Sequence, residues 1–409
     1  MRSVLVLLAA AAALAAPGAR ERAAIRDRLY VPDPLPPLEA ETHSSFEAAP
    51  GVIAERVTYA TEYGMRVPAI LYLPKERSGR SPAFVVVNGH GGDKYSWYAF
   101  YAGVLYARMG VVALTYDPIG EGERNLERQS GTRAHDRYVP PPETARRMGG
   151  LMMTDVIQAV SYLAGRPDVD PSRIAAGGYS MGSFVLALAC AAETRLAACV
   201  LVGGGNLDGP GGRWDQSSKL MCQAIPYQSL QFLGDRPAVI YALQAGHART
   251  FIFNGANDTV VAIPEVGKPA FFDDLRRRAI ALGAPREKTF EFAYEPGNAS
   301  HRPYFVTRPV VQWLDRQLRF PKPVPPGPDV RIGDWAGERR VEMDKTYADE
   351  DREGGTRAVP AGVPGLTREQ LSVLPAAEWE KQKDRFTLES WLAQTKLRLR
   401  ENAADSRSR

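Results

Sequence analysis

Through the middle of the chain, short apolar runs alternate with longer segments whose apolar residues recur at helical spacing. Ala83–Val87, Val111–Tyr116, Ile174–Tyr179 and Thr250–Phe253 are largely apolar stretches of strand length, and Phe290–Tyr294 is strand-like. Between them, Trp97–Met109 and Met153–Ala164 read as helices. In the second, Met153, Val156, Ile157 and Val160 occupy i, i+3, i+4 and i+7 of one face. A further amphipathic helix is expected from about Val306 to Leu318. Ahead of this alternation, Val52–Thr58 and Val67–Leu73 read as an antiparallel hairpin with Tyr63-Gly64 near its turn. Strand, helix, strand in succession predicts an α/β fold whose central sheet is mostly parallel and flanked by helices. Ligands are then expected at the carboxyl ends of the strands.

The flanks have a different character. Met1-Arg2-Ser3 followed by the apolar run Val4–Ala16 and the small residues Ala13-Leu14-Ala15 has the layout of a secretory signal, residues 1–19. The run is short for a membrane span, so a secreted or periplasmic protein is expected, with an uncleaved anchor as the rival. Residues 20–50, with prolines and acidic residues, suggest an extended segment wrapping the body, which itself occupies 51–320. Beyond it, 321–409 opens on a stiff proline-rich linker, Pro321–Pro328. It continues through the capping-box pattern Thr367-Arg368-Glu369-Gln370 to a charged helical stretch, Ala376 to about Arg400, which either docks on the body or mediates association.

Chemistry concentrates at Gly178-Tyr179-Ser180-Met181-Gly182. The apolar strand before it and the apolar run Ser183–Ala189 after it place Ser180 on a sharp strand-to-helix turn. Such a turn presents a strained serine hydroxyl to substrate, with glycines where a Cβ would obstruct packing. A serine needs a base, and the base needs a group that fixes its tautomer, in the order serine, acid, histidine. Of the five histidines only His301 follows a plausible acid, on a loop after the strand ending at Tyr294. Asp258, in the turn after Thr250–Phe253, is the expected acid. Asp208, Asp215, Asp235, Asp273 and Asp274 follow no comparably apolar strand. Oxyanion donors are expected from the backbone N–H of Met181 and from Asn88-Gly89-His90-Gly91-Gly92, where either His90 or Gly91 supplies the second.

These segments together carry a resemblance. Asn88–Gly92, Tyr116–Arg124, Arg166–Ile174 and the serine turn fall in the order seen in α/β-hydrolases, and the chain resembles bacterial acetylxylan-esterase-like and dienelactone-hydrolase-like proteins from about Val52 to Phe320. Dienelactone hydrolases proper use cysteine, and this chain has Ser180 in that place. The resemblance implies hydrolysis of a carboxylic ester, often of an acylated sugar, with no cofactor. An aminopeptidase-like amide hydrolase, or a binding protein on a hydrolase fold, are the alternatives.

Two insertions are expected to shape the pocket, Asn125–Gly150 and Gly204–Gly246. Trp214 and Tyr227 are candidates to stack on a sugar, against a packing role, and His135 is a candidate substrate contact, against a structural one. Trp97 is weighed in the same way as the two aromatics. Asp117 and Arg124 are expected to order the loop after their strand, with Glu121 or Glu123 helping. Cys190, Cys199 and Cys222 are too few and too widely spaced for a zinc site, so no metal is implied. Buried packing is the expected role of Cys190 and Cys199, with a disulfide permitted by export. A net charge of +4 with no basic-aromatic stripe argues against nucleic acid as a partner.

Overall fold

The computed structural model describes residues 18–295, 301, 306–323, 329–331, 337–340, 358–360 and 363–405. Among these, nine strands form one sheet in the order β1-β2-β3-β5-β4-β6-β7-β8-β9. They are β1 (Glu41–Ala49), β2 (Val52–Ala60), β3 (Arg66–Pro74), β4 (Ser81–Val87), β5 (Val112–Tyr116), β6 (Val169–Tyr179), β7 (Ala198–Val202), β8 (Arg249–Gly255) and β9 (Glu291–Glu295). From β5 to β9 every neighbouring pair is parallel, whereas β1, β2, β3 and β5 pair antiparallel. The apolar runs need no polar-apolar alternation because both faces of the parallel strands are covered. On β4, Ala83, Val85 and Val87 enter one core while Phe84 and Val86 enter the other.

Among the described residues, eight α-helices precede the C-terminal extension: α1 (Ala19–Arg28), α2 (Trp97–Arg108), α3 (Pro142–Ala164), α4 (Met181–Ala192), α5 (Ile225–Gln228), α6 (Arg236–Ala245), α7 (Pro269–Ala281) and α8 (Arg308–Leu318). Residues of α3, α4, α6 and α7 fill the first core, and those of α2 and α8 the second. No described helix is long and apolar enough to cross a membrane. The apolar run read as a signal lies outside the described residues.

Several expectations need correcting. The segment 20–50 is not simply extended: it holds α1 and the edge strand β1. β1 is exposed along most of its length, so its pairing with β2 rests on backbone hydrogen bonds and leaves no apolar alternation to read. The first insertion ends earlier than Gly150, because α3 starts at Pro142, a residue suited to the first turn of a helix. The second is not all loop either: α6, a helix packed beside α4 and α7, lies within it. Cys190 and Cys199 are joined in a disulfide rather than merely packed.

The described part of the C-terminal extension docks on the body. Leu371, Val373, Leu374, Trp379 and Phe386 join the α2 side of the core, and Leu388 and Trp391 the other. The capping box forms, with the Thr367 hydroxyl accepting from the Gln370 N–H and the Gln370 side-chain oxygen accepting from the Thr367 N–H. The helical stretch is interrupted by a tight turn at Lys383–Arg385 before the last helix, Leu388–Asp405. Glu123 receives the extension: its carboxylate accepts from the N–H groups of Val373 (2.8 Å) and Leu374 (3.3 Å), and its carbonyl from Trp379 Nε1 (3.0 Å). The same carboxylate pairs with buried Lys94 at 2.8 Å, and Lys94 also meets Asp117 at 2.5 Å. Arg124 pairs with buried Asp155. The loop after β5 is therefore ordered by Asp117, Glu123 and Arg124 in their expected role.

A second tie gives a pH-dependent prediction. Trp391 Nε1 donates to Glu62, a carboxyl only 6% exposed, across 3.2 Å. Burial pushes the Glu62 carboxyl up to about 7, despite the Trp391 bond and Arg147 nearby. Between the ordinary glutamate value of about 4.3 and this raised value, the folded chain keeps a proton that the unfolded chain has lost. Its stabilising contribution is therefore complete below about pH 4.3 and is lost as pH rises through 7. Glu62→Gln keeps an acceptor for Trp391 without the charge. It should match the parent in acid and exceed it by up to about 3 kcal/mol at pH 8, as read from denaturant midpoints at about pH 4 and pH 8. An equal difference at both values would remove Glu62 from the pH response.

Candidate active site

Ser180 stands between β6 and α4 with φ 55° and ψ −117°, a backbone conformation rarely open to a residue with a side chain. The flanking glycines make it possible. A Cβ on Gly178 would lie 2.3 Å from the Gly182 carbonyl oxygen, and one on Gly182 would lie 2.1 Å from that of Val87. The Ser180 N–H is tied to the Val202 carbonyl at 2.8 Å, so the turn is anchored to the neighbouring strand β7.

The three predicted polar residues meet. Ser180 Oγ is 2.9 Å from His301 Nε2, and His301 Nδ1 is 2.8 Å from Asp258 Oδ2. Asp258 is fully buried. Its other oxygen, Oδ1, accepts from the N–H groups of Val260 (3.0 Å) and Val261 (3.2 Å), so the carboxylate both closes its own turn and faces the imidazole. His301 is wedged from the side by Tyr179, whose ring centre is 5.0 Å away, and by Gly203. Gly203 has φ +60°, and a Cβ there would come within 2.8 Å of His301 Cε1. Gly203→Ala should displace the imidazole and lower kcat by about 10²-fold with little change in KM, as steady-state kinetics would measure. Unchanged kcat would mean that the ring has room the geometry denies.

Facing Ser180 is the loop after β4. Met181 is the first residue of α4, where backbone N–H groups lack a partner within the helix. Across from it, the Gly92 N–H is bonded to the Gly89 carbonyl, and His90 and Gly91, the expected donors, lie between the two. Gly91 takes φ +78°, and its carbonyl receives the Gly131 N–H at 2.8 Å.

A cavity of about 600 Å³ opens at Ser180, lined by His90, Arg213, Trp214, Gln216, Lys219 and Val260 among others. Trp214 reaches it while its ring stacks on Phe184 at 5.0 Å and its Nε1 donates to the Asn206 carbonyl. Tyr227 does not line it. It is fully buried, edge-on to Phe184, its hydroxyl on the Asp208 carbonyl and its ring under Arg236, so packing is its role. His135 is also fully buried and is no cavity contact, and Trp97 packs against Tyr98 and Tyr101. Arg213, Gln216 and Lys219 were not singled out from the sequence; their only signal was membership of the second insertion.

Two family models match the chain, acetyl xylan esterase (AXE1) over residues 38–202 and the prolyl oligopeptidase family over 143–322. An uncharacterized protein of Pseudomonas aeruginosa is 31% identical over 164 residues, 40% of this chain and 40% of that one, so the match spans well under half of that relative's length. Among solved structures, a methylesterase superposes with a TM-score of 0.52 at 18% identity, covering 91% of this chain and 69% of its own. A glucuronoyl esterase from Teredinibacter turnerae T7901 does so with 0.50 at 16% identity, covering 72% and 84%. At these identities the structural likeness speaks for the fold.

Proposed function

We propose that the chain is an acetylxylan-esterase-like α/β-hydrolase that cleaves a carboxylic ester of an acylated carbohydrate or small molecule through an acyl-enzyme, a reading supported by the acetyl xylan esterase match over residues 38–202. One observation carries this reading: an unbroken chain of hydrogen bonds from Asp258 through His301 to Ser180, ending at the floor of a polar-lined cavity.

In that mechanism Ser180 Oγ attacks the acyl carbon as His301 Nε2 takes its proton. Asp258 holds His301 in the tautomer with hydrogen on Nδ1 and stabilises the imidazolium that forms. The oxyanion is received by the Met181 N–H and by that of His90 or Gly91, each worth about 3 kcal/mol in the transition state. His301 then protonates the departing alcohol, and a water activated by the same nitrogen releases the acid. Trp214 offers an apolar face to a sugar ring, and Arg213, Gln216 and Lys219 offer donors to its hydroxyls or to a carboxylate. The disulfide between Cys190 and Cys199, together with the N-terminal apolar run, supports a secreted or periplasmic location.

A substrate screen tests the reading. Purified protein should turn over p-nitrophenyl acetate and acetylated xylan and leave aminoacyl anilides intact. Cleavage of anilides in preference to esters would favour amide hydrolysis, the reading to which the prolyl oligopeptidase match lends support. Labelling of Ser180 by a fluorophosphonate with no acetyl ester turned over would retain a serine hydrolase and remove the acetyl group from its substrate.

A further inference from the structure

His90, which lines the cavity beside Ser180, also places its imidazole in a cluster for which the ester chemistry has no use. His90 Nε2 lies 3.2 Å from Cys222 Sγ and 3.7 Å from Asp136 Oδ1. His135 Nε2 lies 3.6 Å from the same Asp136 oxygen, and Cys222 Sγ lies 4.0 Å from it. One ligand atom from each of the four residues falls within 4.8 Å of all the others. Three separate pieces of chain supply them: the loop after β4, the tight turn Ala134–Arg137 in the first insertion, and the wide helical turn Leu220–Ala224 in the second. We propose that His90, His135, Asp136 and Cys222 form a tetrahedral site for a thiophilic divalent cation of the zinc class, which ties the oxyanion loop to both insertions.

The spacing fits. With metal bonds of about 2.0–2.1 Å to nitrogen or oxygen and about 2.3 Å to sulfur, the edges of a tetrahedron holding one sulfur are about 3.3–3.6 Å; the four separations given above run from 3.2 to 4.0 Å and all stay within 4.8 Å, so binding needs the side chains to draw in only slightly. Two imidazoles, a carboxylate and a thiolate are also the donor types that zinc takes. An independent observation is His135 itself. It is fully buried, and among the described residues neither ring nitrogen has a hydrogen-bond partner of good geometry: the Ile119 carbonyl lies beside the ring, and Asp136, Lys219 and Arg133 act on it through their charges. A buried imidazole left so incurs a desolvation cost that a cation at Nε2 would offset.

A second catalytic relay is the main rival, and the atoms exclude it. In a relay the nucleophile and the acid engage opposite nitrogens of the histidine. Here Cys222 and Asp136 both approach the same atom, His90 Nε2, which is the arrangement of ligands around a shared centre. Binding must expel the proton that an unbound cysteine thiol carries near neutral pH. The balance is one cation in, one proton out to solvent, with the thiolate and the Asp136 carboxylate together meeting the cation's charge. Lys219 holds the other Asp136 oxygen at 2.6 Å, leaving Oδ1 to face the centre. The expectation of no metal followed from counting cysteines alone, whereas this donor set is mixed.

The test uses the purified full-length chain, stripped with a chelator and titrated with Co²⁺ and then Zn²⁺. The expected result is one Co²⁺ per chain with tetrahedral visible bands and a thiolate-to-cobalt charge-transfer band, displaced stoichiometrically by Zn²⁺. Cys222→Ser should abolish the charge-transfer band, and His135→Gln should weaken Co²⁺ binding at least tenfold. Ser180→Ala should bind as the parent does, which separates this site from the ester reading. Failure of the natively folded chain to retain stoichiometric Co²⁺, or an octahedral spectrum without a sulfur band, overturns the proposal. These readouts on the unmutated chain decide the matter even if a ligand variant does not fold.

Discussion

Ser180→Ala should lower kcat for p-nitrophenyl acetate by roughly 10⁴- to 10⁶-fold while leaving the melting temperature within a few degrees of the parent. The magnitude follows from what the substitution removes and what it leaves. Only Oγ is lost, and with it the atom 2.9 Å from His301 Nε2. The strained backbone at φ 55° is already accommodated by a residue with a Cβ, and alanine asks for nothing more. The Ser180 N–H keeps its bond to Val202, and the glycines on either side are untouched, so the turn should stand. Residual activity would come from the oxyanion donors and from binding alone. Substrate affinity should change little, because the hydroxyl acts on the reacting carbon in the transition state more than on the bound ester. Turnover within tenfold of the parent would place the nucleophile elsewhere and remove Ser180 from the mechanism.

The sequence exposed the site because each of its members sits beside an apolar strand whose pattern is unmistakable. β6, β8 and β9 lie in the parallel half of the sheet, and their apolar runs Ile174–Ala176, Phe251–Phe253 and Phe292–Tyr294 make the polar residues that follow stand out. Ser180 follows β6, Asp258 follows β8, and His301 comes after β9. Where such a run is lacking, the signal fades. β1 is mostly exposed, and α1 has only Ile25 buried, so neither carries an amphipathic period strong enough to name it. The side chains around the site were harder still. Tyr227 and Trp214 belong to the same insertion and have similar chemistry, and only the three-dimensional course of the chain puts one on the cavity wall and the other behind it. His90, His135 and Cys222 lie too far apart in the chain to form a spacing motif, and their meeting depends on how the two insertions cross the loop after β4.

Asp258→Asn should reduce kcat by about 10⁴-fold without unfolding the protein, and the reason lies in the two oxygens having different tasks. Oδ1 accepts from the N–H groups of Val260 and Val261, so an asparagine at this position must turn its oxygen toward them. Its amide nitrogen then occupies the place of Oδ2 and donates to His301 Nδ1. The imidazole can only accept there by carrying its proton on Nε2, the nitrogen facing Ser180. In that tautomer it cannot take the serine proton, although every heavy atom is close to where it was. Asp258→Ala makes the informative partner variant. It loses the turn bonds as well as the imidazole contact, so it should be the less stable of the two, while the asparagine variant should keep the parent's melting temperature. Comparable kcat losses with unequal stabilities would separate the tautomer effect from the structural one. If the asparagine variant instead retained activity within tenfold of the parent, His301 would be oriented by some other group, and Asp258 would be reduced to closing its own turn.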